Sequence, residues 1–283
     1  MDLRDIRRFV IVALFSDDEL MEKFVLKGGN ALDLIHGLGS RSSVDVDVSI
    51  ADDFDDIAQA KERIFRALRD RFDSAQYVVF DEQFSARPSK LKEGQSPLWG
   101  GYEVNFKIAT RESARKCGND LEALRRNASL VGPEQKRTFK IDISKHEFCE
   151  EKQEAELDNY TIYVYTLPMM AIEKLRAICQ QLPEYQQRPY SKARARDFYD
   201  IYSIVTEGQV DITSADNPDL LRHIFAAKEV PLELLMRIET QRGFHSTDWD
   251  AVRQSVSGEL REFDFYFDFV LELVEKLKAA RVV

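Results

Sequence analysis

The sequence predicts an α+β (mixed α/β) fold, in which a small mixed sheet flanked by helices is followed by a C-terminal helical bundle. Apolar and polar residues alternate at 43–49, 102–108 and 137–144, which predicts strands in the first half of the chain. Further along, apolar residues recur every three to four positions, as in amphipathic helices. This change of period predicts an N-terminal domain at 1–167 and a helical domain at 168–283.

Composition excludes several classes of protein. The 283 residues are 44% hydrophobic and 32% charged, a balance that allows a packed core and argues against global disorder. No apolar run reaches the roughly 18–20 residues that span a bilayer, and the N-terminus lacks the cleavage site of a signal peptide. The cysteines form neither a disulfide framework nor a CxxC motif, so we expect a cytoplasmic protein with no membrane partner.

The net charge of −10 restricts how a nucleic acid could bind, because contact with phosphates requires local positive charge. An RNA substrate would therefore dock on a basic stripe. The candidate stripes are Arg111, Arg115, Lys116, Arg125, Arg126, Lys136, Arg137 and Lys140, and then Arg188, Lys192, Arg194 and Arg196. Ordinary solvated faces explain the same residues equally well, so both interpretations stay open.

The N-terminal elements follow in order from the hydrophobic pattern. Residues 1–22 predict one or two helices, and a short buried strand follows at 24–26. Gly28 and Gly29 predict a turn, after which apolar spacing indicates another helix. Because neither glycine has a Cβ atom, a phosphate group can approach the backbone amides at the start of that helix.

The strand predicted at 43–49 carries two candidate metal ligands. Asp45 and Asp47 alternate with valines, so both side chains leave the same face of the strand, about 7 Å apart. This spacing suits two carboxylates that share a pair of Mg²⁺ ions, with phosphates and waters in the remaining positions.

A third carboxylate follows from the later strands. A helix is predicted at 55–72, a strand at 77–80 and a polar loop at 85–95, before the alternation resumes. In the strand at 137–144, apolar residues flank Asp142, which therefore faces away from the core and is a candidate third ligand. Closely spaced carboxylates repel one another unless a cation is present.

The alternative interpretation is that Asp45, Asp47 and Asp142 form the polar face of a solvent-exposed sheet. The double glycine at Gly28 and Gly29, at a suitable distance before the first strand, favours the metal site.

The helical half presents a second candidate pair. Pro168 begins a helix in which Lys174 lies at the border of an apolar stripe, so its stem can be buried while its ammonium reaches a cleft. A charge in that position could hold a triphosphate. In the next predicted helix, Asp197 lies beside an inward face. A structural salt bridge between Lys174 and Asp197 is the alternative.

Four motifs occur in a fixed order along roughly residues 20–205. They are Leu26-Lys27-Gly28-Gly29-Asn30-Ala31-Leu32, Arg41-Ser42-Ser43-Val44-Asp45-Val46-Asp47, Glu173-Lys174-Leu175-Arg176-Ala177 and Ala195-Arg196-Asp197-Phe198-Tyr199-Asp200. In combination they resemble the AbiEii/AbiGii nucleotidyltransferase toxins of type IV toxin–antitoxin systems, within the DNA polymerase β-like nucleotidyltransferase superfamily. The resemblance implies a nucleotidyltransferase-type N-terminal domain, an NTP substrate, and an RNA acceptor such as the 3′ end of tRNA.

The same resemblance assigns roles to residues. It implies that Asp45 and Asp47 hold Mg²⁺ and that Lys174 and Asp197 are the other essential active-site pair. Ser43 matches a position that cognate antitoxin proteins of some relatives control by phosphorylation.

Asn30 departs from the family pattern, in which a Thr or Ser often follows the glycines. An amide can still hydrogen-bond a phosphate, so Asn30 is retained as a candidate nucleotide-binding residue together with Ser43.

These observations lead to one main hypothesis and two alternatives. In the main hypothesis, an acceptor hydroxyl attacks the α-phosphorus of an NTP with two Mg²⁺ ions present, and Asp142 completes the metal site and accepts the proton. Gly28 and Gly29 cradle the β- and γ-phosphates, and Lys174 neutralises them. The alternatives are a catalytically silent nucleotide-binding regulatory protein of the same fold and a metal-dependent nuclease.

Overall fold

A computed structural model of the chain describes residues 2–39, 44–91, 93–131, 135–187, 190–214, 218–256 and 258–280. The chain forms two compact units, described separately below. The sheet unit comprises Met1–Ile35, Ser43–Glu93 and Gly100–Val164, and the helical unit comprises His36–Ser42, Gly94–Trp99 and Tyr165–Val283. The sequence predicted a single boundary after residue 167 and did not anticipate that two short earlier segments belong to the helical unit.

In the described part of the chain, seven strands form one mixed sheet in the order β3-β4-β5-β2-β1-β7-β6. The strands are β1 (Val25–Lys27), β2 (Val46–Ser49), β3 (Tyr77–Arg87), β4 (Gly101–Thr110), β5 (Phe139–Ser144), β6 (Gln153–Leu157) and β7 (Tyr160–Val164). The β2–β5 and β1–β7 pairs are parallel and the remaining pairs are antiparallel. The predicted α+β class is therefore confirmed, and the sheet is larger than the small one expected.

Helices surround this sheet within the same unit. They are α1 (Leu3–Phe15), α2 (Asp18–Lys23), α3 (Gly28–Leu34), α4 (Ile57–Ser74), α5 (Arg111–Cys117) and α6 (Leu121–Arg126). A capping box between Asp2 and Asp5 begins α1, and the Asp56 carboxylate caps α4. The segment between β4 and β5 contains the short helices α5 and α6.

The helical unit is built around aromatic side chains. Its helices are α7 (Leu167–Cys179), α8 (Ala195–Thr206), α9 (Pro218–Ala226), α10 (Arg242–His245), α11 (Trp249–Ser255) and α12 (Phe263–Ala279), with 3₁₀ segments at Leu232–Gln241 and Ser246–Asp248. The Thr166 hydroxyl caps α7, and Pro168 lies in its first turn. At the centre, the Phe198 ring stacks on Phe267 with 5.0 Å between ring centroids.

Within the described ranges, no helix combines the length and the apolar character needed to cross a membrane.

Candidate active site

The three predicted aspartates lie on or beside neighbouring strands. In the parallel β2–β5 pair, Asp47 is the register partner of Asp142, and Asp45 directly precedes the start of β2 at Val46. Apolar residues beside them, among them Val46, are buried in the core. The alternation of apolar and polar residues therefore places the three aspartates on the same face of the sheet.

Asp47 is the aspartate that most needs a cation. It retains some surface exposure, yet protein atoms surround it closely enough that burial raises its pKa to about 6. The negative charges of Asp142 and Asp45 contribute in the same direction, and the ammonium groups of Lys27 and Lys140 partly offset them. Ionised Asp47 is thus the member of the cluster whose charge is incompletely compensated.

The double-glycine turn lies against this carboxylate. Gly28 begins α3 with a φ of +70°, and a Cβ atom at this position would lie 2.5 Å from Oδ2 of Asp47. The positive φ favours glycine, and a Cβ atom here would require the Asp47 carboxylate to move. No side-chain hydrogen bond caps the start of α3, where Lys27 is the N-cap residue, and this helix start lies beside the Asp47 carboxylate.

A lysine lies between two of the aspartates. The Nζ atom of Lys140 is 2.6 Å from Oδ2 of Asp142 and 3.2 Å from Oδ2 of Asp45. Lys136 is a second partner, with its Nζ atom 2.9 Å from Oδ1 of Asp45. Burial alone would lower the pKa of Lys140, but the hydrogen bond to Asp142 and the two carboxylate charges outweigh it and raise that pKa.

The three carboxylates are of the kind that binds a divalent cation. In the structure, however, two of them are ion-paired with Lys140. Carboxylate oxygens are the ligands that Mg²⁺ prefers, and three of them are available from Asp45, Asp47 and Asp142. Within the described ranges, no three acidic, histidine or cysteine side chains converge as a ready metal-binding group. Lys140 would have to leave Asp45, Asp142 or both before these carboxylates could hold a cation together with Asp47.

Asn30 occupies a different environment from the one the sequence suggested. Its side chain is fully buried, its Oδ1 accepts a hydrogen bond from Nη1 of Arg7 (3.0 Å), and its Nδ2 donates to the backbone carbonyl of Asp45 (2.6 Å). Both ends of the amide are therefore engaged inside the fold, and the phosphate contact expected for Asn30 is not part of our proposal. Ser43, the other predicted nucleotide-binding residue of this region, lies outside the described residues.

In the helical unit, Lys174 and Asp197 contact each other as predicted, with 3.2 Å between Nζ and Oδ1. Sequence analysis missed a third member, since Lys174 Nζ also lies 2.7 Å from Oδ2 of Asp200. Asp197 and Asp200 are three positions apart on α8 and so share a helix face, a spacing that could have identified this partner. All three side chains are buried.

Arg194 and His245 lie on the Asp197 side of this cluster. Burial alone would raise the pKa of Asp197, but the charges of Arg194 and Lys174 and their hydrogen bonds outweigh it, so that pKa lies well below its usual range. His245 is fully buried, which lowers its pKa to about 4, and its Nδ1 accepts a hydrogen bond from the Arg194 backbone amide (3.1 Å). A neutral histidine and an ionised aspartate therefore hold the first turn of α8.

About half of the residues in the basic stripes expected to dock RNA are ion-paired with acidic neighbours. Within the first stripe, Arg111 pairs with Asp73, Lys116 with Glu112, Arg125 with Asp81 and Glu122, and Lys136 and Lys140 with the aspartate cluster. In the second stripe, Arg194 pairs with Asp197, and Arg188 lies outside the described residues. This pairing favours the interpretation that the paired residues belong to solvated faces.

Comparisons with known proteins give a family match and a fold likeness. A family model described as "Nucleotidyl transferase AbiEii toxin, Type IV TA system" matches residues 10–272. A search of curated proteins finds no match.

Among solved structures, a candidate nucleotidyltransferase from Helicobacter pylori has a TM-score of 0.52 at 14% identity, covering 99% of this chain and 95% of that one. JHP933 from Helicobacter pylori has a TM-score of 0.49 at 16% identity, covering 98% and 91%. An antigenic nucleotidyltransferase-like protein from Paracoccidioides brasiliensis has a TM-score of 0.42 at 12% identity, covering 91% and 94%. The first of these likenesses, at 14% identity, bears on the fold alone.

Proposed function

The chain belongs to the AbiEii family of nucleotidyltransferase toxins of type IV toxin–antitoxin systems, and we propose that it transfers an NMP from an NTP to an RNA hydroxyl in a Mg²⁺-dependent reaction. The acceptor that we propose is the 3′ end of tRNA. A cognate antitoxin protein is the regulatory partner implied by the family, and Ser43 is the residue that we propose it modifies.

One observation carries the proposal. Asp47 and Asp142 are register partners on parallel strands, Asp45 directly precedes Asp47's strand, and Gly28 lies so close to the Asp47 carboxylate that a Cβ atom there would require the carboxylate to shift. Three carboxylates beside an uncapped helix start combine the groups that hold a divalent cation with amides that bind a phosphate.

In the proposed reaction the sheet unit supplies the chemistry. Asp45, Asp47 and Asp142 would hold two Mg²⁺ ions, which neutralise phosphate charge and polarise the α-phosphorus. Asp142 accepts the proton of the attacking hydroxyl, a new O–P bond forms at the α-phosphorus, and the bond to the leaving pyrophosphate breaks in line. The amides of Gly28 and Gly29 hold the β- and γ-phosphates during this step.

Lys174 is proposed to neutralise the triphosphate, with Asp197 orienting its ammonium. Its burial between Asp197 and Asp200 supports a fixed orientation of the ammonium group. The same contacts also support a structural salt bridge in the helical unit. The two roles predict different behaviour when Lys174 is replaced alone and when it is replaced together with Asp200.

A catalytically silent nucleotide-binding protein is the second candidate, and one observation favours it. Lys140 already neutralises Asp45 and Asp142, as a lysine does where it replaces a cation permanently. In that case Mg²⁺ would not bind at the three aspartates and no NMP would be transferred.

The test is incubation of the purified protein with each labelled NTP and total RNA, with Mg²⁺ or EDTA, followed by a denaturing gel. We expect label in the tRNA band from one or two NTPs with Mg²⁺ only. Asp45→Ala should abolish the signal while circular dichroism stays unchanged, and Glu82→Gln on the sheet-edge strand β3 is the matched control. Full transfer by Asp45→Ala would refute the metal assignment, and transfer by no NTP would favour the silent protein.

A further inference from the structure

A buried polar strut connects the first helix to the predicted catalytic strand. We define the strut as the Arg7 guanidinium, the Asn30 amide and the backbone carbonyl of Asp45. Arg7 donates to Asn30 Oδ1 at 3.0 Å, and Asn30 Nδ2 donates to the Asp45 carbonyl at 2.6 Å. Asn30 has no exposed surface and Arg7 is 5% exposed, so neither group can exchange these bonds for water while the fold is intact.

The Arg7 end of the strut is anchored independently. Nη1 of Arg7 lies 3.1 Å from Oδ2 of Asp33, which belongs to α3, as Asn30 does. The charge of the buried guanidinium is thus paired, and the arginine is held in one position. Because the arginine is fixed, its hydrogen bond orients the Asn30 amide with its oxygen toward Arg7 and its NH₂ group toward Asp45.

At the Asp45 end of the strut, the backbone has no register partner in the β2–β5 ladder. The β2 ladder with β5 begins at the Val46 and Ile141 pair, so Asp45 lies just outside it. The Asn30 amide therefore supplies, at the Asp45 carbonyl, the kind of hydrogen bond that a neighbouring strand would supply further along. A side-chain bond here fixes the backbone of the residue whose carboxylate is the first member of the aspartate cluster.

The same short helix contacts both aspartates of the Asp-x-Asp motif. Gly28 approaches the Asp47 carboxylate, and Asn30, two residues later, holds the Asp45 backbone. We propose that Asn30, oriented by Arg7, is a positioning residue that sets the Asp45 carboxylate relative to that of Asp47. This inference rests on the proposed function, and it gives Asn30 a role through Asp45 rather than through a phosphate.

The isosteric variant Asn30→Asp tests the strut most selectively. A carboxylate keeps the size of the side chain and the bond to Arg7, but it places an acceptor oxygen against the Asp45 carbonyl where the amide placed a donor. Asp33→Asn is the matched control, because it removes the charge of the carboxylate on the other side of Arg7, while its amide oxygen can still accept a hydrogen bond from Arg7 and the Asn30 bond to Asp45 stays in place. Asn30→Ser is the second variant, used if Asn30→Asp does not fold.

Three readouts are compared on the full chain: amide hydrogen exchange at Asp45–Val48, the Kd of Mn²⁺ alone from its electron paramagnetic resonance signal, and the thermal unfolding midpoint. We expect Asn30→Asp to accelerate exchange at Asp45–Val48 and to weaken Mn²⁺ binding by at least tenfold. Its unfolding midpoint should fall no further than that of Asp33→Asn, whose Mn²⁺ affinity should stay within twofold of wild type.

The inference is overturned if a folded Asn30 variant shows wild-type exchange at Asp45–Val48, or if Asp33→Asn loses as much Mn²⁺ affinity as Asn30→Asp. Failure of the proposed function has a different signature. In that case the wild-type protein itself binds no Mn²⁺ and transfers no NMP, while the exchange measurement still reports whether Asn30 holds the Asp45 backbone.

Discussion

Lys140 and Asp142 lie two positions apart on β5, and the Lys140 ammonium donates to the Asp142 carboxylate at 2.6 Å. Since the same ammonium also contacts Asp45, one positive charge neutralises two of the three predicted metal ligands. A cation that binds to Asp45 or Asp142 therefore competes with this lysine.

Replacing Lys140 should separate its effect on cation binding from its effect on the stability of the fold. We expect Lys140→Met to bind Mn²⁺ about tenfold more tightly, a gain of about 1.4 kcal/mol, because no ion pair must be broken. Without metal the variant should lose about 1–2 kcal/mol of stability, since Asp142 loses its lysine partner and Asp45 keeps Lys136 but loses Lys140. Mn²⁺ titration and unfolding in EDTA measure both, with Lys107→Met as the control lysine on β4. Unchanged Mn²⁺ affinity would show that Lys140 does not compete with the cation.

The raised pKa of Asp47 predicts how the stability of the metal-free protein depends on pH. Its folded-state pKa is raised to about 6, so the ionised form is disfavoured in the fold, and stability is lost as pH rises from about 4 to 6. Asp47→Asn should remove this loss and stabilise the protein by roughly 1–3 kcal/mol above pH 6, while abolishing transfer. Urea unfolding between pH 4 and 8 in EDTA tests this. A variant that is less stable than wild type at pH 7 would contradict the burial argument.

The lowered pKa of Asp81 predicts that its contribution to stability depends on pH in the opposite direction. Hydrogen bonds from Arg125 and then Lys107, together with their charges, lower the pKa of Asp81 to about 2. Its stabilising contribution is present above about pH 4 and is lost as pH falls toward 2. Asp81→Asn should lower the melting temperature at pH 7 by about 2–4 °C, and this difference should disappear near pH 2. For the exposed pair of Glu112 and Lys116, Glu112→Gln should cause no measurable change.

Variants of Lys174 distinguish a catalytic role of this residue from a structural one. Lys174→Met leaves the buried carboxylates of Asp197 and Asp200 with less positive charge, which should cost about 3–5 kcal/mol. Adding Asp200→Asn should recover much of the stability without restoring transfer activity. Recovery of both stability and activity in the double variant would assign Lys174 to the packing of the helical unit alone.

Local patterns predicted much of the fold and part of the site. The period of two in β2 and β5 placed the aspartates on one face, and the glycine pair marked the start of α3, because these features depend on backbone geometry alone. The edge strand β6 was missed because its sequence, QEAEL, carries little apolar alternation. Its assignment depends on pairing with β7 rather than on its own residues.

The contacts that were missed are those between residues far apart in the chain. Nothing near Asn30 indicates that Arg7 lies against it, because that contact depends on how α1 packs on the sheet unit. The Lys140 contact was accessible in principle, since alternation puts Lys140 and Asp142 on one face. Its bond to Asp45, however, requires the parallel pairing of β2 with β5.

The most direct test of the central claim is the anomalous scattering of crystals soaked with Mn²⁺. The account predicts Mn²⁺ bound by carboxylate oxygens of Asp45, Asp47 and Asp142 at about 2.2 Å, with the Lys140 ammonium displaced from between Asp45 and Asp142. Crystals of active protein that show no Mn²⁺ at these aspartates, with Lys140 still in contact with both carboxylates, would contradict it.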